Sequence, residues 1–182
     1  MNEPIITAEQ PVSRTKEEII KEANRIEESA LYSSKGHFSA ASFWGNFHIW
    51  LGIPIVILAA IAGASFISKV DNNNVIGGVI SLIIAVMSAV VTFLNPNERR
   101  SAHFNAGNDY NSLQNKVRIF RTIECWEKES DHVLSERLKD FSDQKDKLNR
   151  ASPQIPWWAY RKAKKGIEAG EAEYRVDKEI AS

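Results

Sequence analysis

Two stretches of this chain contain no Asp, Glu, Lys or Arg: residues 36–68 and residues 72–97. Inside them lie two apolar runs, 47–66 (FHIWLGIPIVILAAIAGASF) and 75–94 (VIGGVISLIIAVMSAVVTFL). Each is about 20 residues long, and at about 1.5 Å per residue each helix would match the hydrocarbon thickness of a bilayer. A soluble core helix rarely runs that far without a charge. The pattern predicts a two-span transmembrane helical hairpin closed by a short loop, 67–74.

The flanking sequence has the period of amphipathic helices. Thr15 with Glu18 reads as a capping box, opening a helix to about Leu31 that sets Ile19, Ala23, Ile26 and Ala30 on one face. After the second run, Asn95-Pro96-Asn97-Glu98 reads as another helix start. The helix it opens spaces Ala102, Ala106, Tyr110, Leu113, Val117 and Phe120 alternately four and three apart, a seam suited to packing within a bundle. A further helix over about 132–148 carries Leu134, Leu138, Phe141 and Leu148. Two prolines in 151–156 break the pattern, and no segment alternates like a strand. The expected fold class is all-α. It comprises a tail (1–14), an N-terminal cytoplasmic or interfacial helix (15–46), the membrane hairpin (47–94), a cytoplasmic helical region (95–150), and a Pro-containing linker with a basic C-terminal helix and tail (151–182).

Composition refines this picture in three ways. Lys plus Arg and Asp plus Glu both number 23, and that balance argues against nucleic acid as a partner. The single cysteine, Cys125, excludes an intramolecular disulfide and any multi-cysteine metal site. The start, MNEPIITAEQP, has no basic patch leading into an apolar core, so no cleaved signal peptide is expected. Basic residues also orient the hairpin. Its loop holds only Lys69, which Asp71 offsets, whereas Arg99 and Arg100 directly follow the second run. The positive-inside rule therefore places both termini in the cytoplasm, in an inner-membrane protein, with the loop outside. Trp44 and Trp50 sit where an aromatic belt would.

Catalytic patterns are missing. His37, His48, His103 and His132 are scattered, with no pair at i, i+4 and no acidic set at metal-ligand spacing. No phosphate-binding glycine loop or nucleophile elbow occurs, and Cys125 lacks a companion that would activate a thiolate. The expectation is no catalytic residue, no metal, no cofactor and no enzyme activity. Small residues are the more telling feature. In the second span Gly77, Ser81, Ala85, Ala89 and Thr92 recur every three or four positions, bordered by Gly78 and Ser88. The first span offers Gly52, Ala59 and Gly63, with Pro54 able to bend it. Such faces either pack the two spans of one hairpin together or meet other copies of the chain, and only a ring of hairpins could enclose a path. Near the C-terminus Trp157 and Trp158 precede Arg161, Lys162, Lys164 and Lys165. This group either contacts an anionic membrane surface or packs its rings on the cytoplasmic helices and leaves the cations in water.

Several short motifs, in order around the two spans, carry a resemblance. They are Arg25-Ile26, Leu31-Tyr32, Lys35-Gly36-His37, Leu51-Gly52-Ile53-Pro54, Phe93-Leu94-Asn95-Pro96, Arg99 to His103, Ala106-Gly107, and Tyr110 with Leu113. Pro156 and the run Ala159 to Ile167 complete the set. Over about Thr15 to Gly170 the chain resembles the SLATT domain, a bacterial two-transmembrane module with cytoplasmic helices. The resemblance implies an effector of prokaryotic anti-phage or other conflict systems that perturbs the membrane, as a pore-forming homo-oligomer, and leads to death or growth arrest. It implies a partner encoded beside it that generates or senses a nucleotide, and it offers no catalytic residue to carry over. A membrane-anchored interaction module, tethering a soluble partner, is the alternative.

Overall fold

A computed structural model describes residues 13–67 and 74–174, without the side chains of 65–67 and 74. Five α-helices and one 3₁₀ turn make up the described residues, and no strand occurs among them: α1 (Arg14–Ile67), α2 (Asn74–Leu94), α3 (Pro96–Thr122), the turn Glu124–Trp126, α4 (Asp131–Ala151) and α5 (Trp157–Glu168). The expected tail before Ser13, the loop with Lys69 and Asp71, and the residues after Tyr174 lie outside the described residues.

Helix α1 differs from the sequence expectation at both ends. Its cap is Ser13, whose Oγ accepts from the Lys16 N–H at 3.0 Å, ahead of the expected Thr15. It does not stop near Leu31 but runs 54 residues into the first apolar stretch. Gly36 and Gly45 weaken helix propensity in between, yet tertiary packing uses both. A Cβ on Gly36 would lie 3.1 Å from Ile155, and one on Gly45 would lie 3.1 Å from the Arg100 side chain. Pro54 forfeits one backbone bond without ending the helix, as prolines in apolar spans commonly do.

Contacts group the chain into two compact units: unit 1 takes residues up to Tyr32 plus Asp109–Ala151, and unit 2 takes Ser33–Asn108 plus the residues from Ser152 on. In unit 1 the two periodic faces meet. Ile19, Ala23, Ile26 and Ala30 of α1 are buried with Tyr110, Leu113, Val117 and Phe120 of α3, together with Cys125 and Leu134. Leu138, Phe141 and Leu148 of α4 pack against that core, with the Phe141 ring 5.4 Å from that of Phe120. Each large side chain buried there contributes about 1.5–3 kcal/mol. Polar contacts tie the rim: Arg121 Nε donates to Glu27 at 2.8 Å, and Tyr110 donates to Asn149 at 2.7 Å. Burial pushes the Cys125 thiol up, the wrong direction for a nucleophile.

Unit 2 holds both apolar stretches. A single residue, Asn95, joins α2 to α3. Its N–H donates to Val91 as the last bond of α2, and its carbonyl accepts from Arg99 as the first of α3. The joint requires φ of 43°, a left-handed conformation that Asn tolerates better than any residue but Gly. The Asn95 amide also donates to Glu98. In the same unit, α5 closes in a Schellman motif at Gly170, with Glu171 N–H on Gly166 and Gly170 N–H on Ile167.

Candidate functional site

The apolar parts of α1 and α2 each show one half-buried stripe at heptad spacing. In α1 it is Leu51, Ile55, Leu58 and buried Ala62; in α2 it is buried Gly77, then Ile80, Ile84, Met87, Val91 and Leu94. These mostly large aliphatics are the faces the two spans turn inward. The small residues divide. Gly77 lies in the stripe, with Gly52 and Ser88 half-buried, but Ser81, Ala85, Ala89, Thr92, Ala59 and Gly63 remain exposed. A Cβ built on Gly52, Gly63 or Gly78 would meet nothing within 4 Å. Thr92 donates to the Ser88 carbonyl of its own helix at 2.9 Å, so its proton is already used.

Where the chain leaves the spans, α1 and α3 share a polar contact that the sequence did not foretell. His37 and His103, 66 positions apart, place Nδ1 against Nδ1 at 2.9 Å, with exposures of only 1% and 5%. One ring must donate and the other accept, so at most one Nδ1 carries a proton. Burial, and then the neighbouring His103, lower the pKa of His37 to about 4. Burial, and then the charge of Arg99, lower that of His103. The pair is therefore neutral near pH 7. Beside it, Ser34 donates to the Gly107 carbonyl at 3.0 Å, and a Cβ on Gly107 would fall 2.8 Å from the Phe38 ring. Only glycine allows α3 to approach α1 so closely there.

Aromatic rings collect on α1 about two to three turns beyond His37. Phe43 touches Trp44, Phe47 and Trp158 at centroid distances of 5.5, 6.0 and 4.8 Å, and the Arg99 guanidinium lies 5.1 Å over Trp44. Trp50 is exposed, as is His48. The C-terminal group splits in two. Trp158 is half-buried against Phe43, while Trp157 is exposed beneath Arg161, 5.0 Å away. Ala159 and Ala163 form the buried face of α5; Lys162, Lys164 and Lys165 face outward with Arg161. His48 and His132 take no part in the histidine pair, and no set of three or more His, Cys, Asp or Glu with metal-binding arrangement occurs among the described residues.

What these elements define is an all-helical protein with two helices long and apolar enough to cross a membrane, whose apolar faces stay largely uncovered within the chain. The model of the SMODS and SLOG-associating 2TM effector domain, family 4, matches residues 17–179, and the chain belongs to that family. Neither the curated proteins nor the solved structures offer a match.

Proposed function

We propose that this protein is a membrane effector that assembles through its second span and permeabilises the inner membrane. The observation that carries the reading is the division of α2. Its inward stripe is built of Ile80, Ile84, Met87 and Val91, which leaves Ser81, Ala85 and Ala89 exposed on a face of small side chains. In lipid, apolar surface alone gives helices no reason to associate, whereas small residues let backbones approach and gain packing. Two spans are too few to line a pore, so several hairpins must contribute. Membership in an effector family supports the same role.

The remaining parts follow from this reading. Both termini face the cytoplasm, because every basic residue except Lys69, which Asp71 offsets, lies outside the hairpin. The exposed cations of α5 meet anionic headgroups. A SMODS or SLOG partner that makes or senses a nucleotide supplies the trigger, and no substrate is turned over. Unit 1, which exposes Ile119, Ile123 and Trp126, favours a second reading, a tethered module that docks a soluble partner.

Reconstitution separates the two. Purified chain in liposomes should release a small entrapped dye or dissipate an ion gradient. Ser81→Leu with Ala85→Leu should abolish release and reduce the cross-linked species to monomer. Release that persists with the bulky pair would remove the α2 face from the account, and tight liposomes under every condition would favour the tethered module.

A further inference from the structure

Beside the Asn95 joint, unit 2 contains an open cavity of about 670 Å³, within the range of small-molecule sites. Its lining is of two kinds. Phe93 and Leu94 at the end of the apolar α2 line it with Thr92 and Trp44, and so do the polar Asn95, Glu98, Arg99, His103 and Gln154. Phe93 is among the most exposed large apolar side chains of the chain. A cavity lined both by apolar residues at the end of a span and by polar residues just beyond it fits an amphiphile.

The polar lining is specific about the head of that amphiphile. Arg99 and His103 stand four residues apart on α3, on one face, and both line the cavity. Arg99 is anchored by Nε to the Leu94 carbonyl at 2.7 Å and by the Trp44 ring, and it forms no ion pair among the described residues. His103 is nineteen-twentieths buried and spends Nδ1 on His37; its Nε2 has no partner among the described residues, yet it is not sealed from solvent. When His37 donates across the pair, Nε2 of His103 carries its proton, which gives a second donor on a residue that lines the cavity with Arg99. Two such donors suit a phosphate. Glu98 lines the same cavity, held by Asn95 and likewise outside any ion pair among the described residues. A carboxylate there opposes a purely anionic head and attracts an ammonium.

We propose that this cavity binds the headgroup of a zwitterionic aminophospholipid, with Arg99 and His103 on the phosphate, Glu98 toward the ammonium, and Phe93 and Trp44 along the start of the acyl chains. The proposal rests on α2 spanning a bilayer but not on pore formation. Lipid binding in detergent therefore tests it apart from permeabilisation.

The experiment is native mass spectrometry of the delipidated full-length chain in detergent, offered phosphatidylethanolamine or phosphatidylglycerol, with soluble phosphoethanolamine and ATP as separate arms. Phosphatidylethanolamine should be retained in preference. Arg99→Gln should cut retention about tenfold or more, and Glu98→Gln should erase the preference over phosphatidylglycerol. His103→Asn keeps a polar group near His37 but removes Nε2, and it should weaken retention while His103→Gln keeps more of it. Circular dichroism confirms the helices in each variant, and the exposed Arg99 and Glu98 carry the test if the buried site does not fold. Equal retention of both lipids overturns the proposal, as does retention unchanged in Arg99→Gln. Binding of soluble phosphoethanolamine or ATP that displaces the lipid would make the site one for free phosphoesters and overturn it too.

Discussion

The His37–His103 contact makes stability depend on pH between about 6.5 and about 4. In the folded chain His37 titrates at about 4, against about 6.5 when exposed, because burial and its neighbour disfavour the imidazolium. A depressed histidine pKa favours folding while the ring is neutral. The contribution is fully present above the unfolded value of about 6.5, declines as pH falls, and is lost by about 4. At about 1.4 kcal/mol per pH unit, the interval corresponds to about 3 kcal/mol. His103, also lowered, acts in the same direction and is further disfavoured as a cation by Arg99. The perturbation is His37→Asn, whose amide takes the place of Nδ1 but binds no proton. Unfolding by sodium dodecyl sulfate, followed by circular dichroism from pH 8 to pH 4, gives stability for each form, and the difference between them isolates the histidine from the carboxylates. Wild type should lose about 3 kcal/mol more than the variant between pH 6.5 and 4. Parallel pH profiles would refute a buried neutral pair, and a wild type that gains stability on acidification would reverse the sign of the argument.

Other consequences follow from single positions. Asn95→Gly should be tolerated, whereas Asn95→Val forces a branched side chain into the left-handed joint and should cost about 1–3 kcal/mol, read in the same unfolding assay. Gly107→Ala places a methyl group against the Phe38 ring and should destabilise by about 1–3 kcal/mol, with partial recovery in Gly107→Ala/Phe38→Leu. For topology, single cysteines at Asn73 and Asp146 in a Cys125→Ser background should differ toward an impermeant thiol reagent on intact cells. Position 73 should label and position 146 should not, and the opposite pattern would invert the hairpin.

Helical periodicity made much of this fold legible. The Ile19-Ala23-Ile26-Ala30 face and the Tyr110-to-Phe120 part of the α3 seam meet in one core because 3.6-residue spacing records which side of a helix is covered, whereas Ala102, the expected start of that seam, is exposed. The charge-free runs announced the two long apolar helices equally well, since length and missing charge are properties of the sequence itself. The extent of α1 was less legible. Gly36 and Gly45 look like weak points until Ile155 and Arg100, distant in sequence, are seen against them. The histidine pair was hidden for the same reason, because 66 residues separate its members and a search at i, i+4 spacing tests one helix at a time. One signal was available: His37 continues the face of Ile19, Ala23, Ile26 and Ala30, and His103 stands one turn before Ala106 on the α3 seam. Two histidines on two core faces are candidates to meet. The small-residue face of α2 divided for a further reason. Sequence spacing marks which residues share a side, but not which of two sides the neighbouring span covers.

The central claim is that this chain acts by opening the membrane, and membrane potential in growing cells tests it most directly. The chain is induced in cells carrying a potential-sensitive dye, alone and with a co-expressed nucleotide-generating or nucleotide-sensing protein, beside Ser81→Leu/Ala85→Leu and a version whose two spans are replaced by unrelated apolar helices. The account predicts that wild type collapses the potential as growth stops, and that both altered forms insert without doing so. Growth arrest with the potential intact, or full activity from unrelated spans, would contradict it.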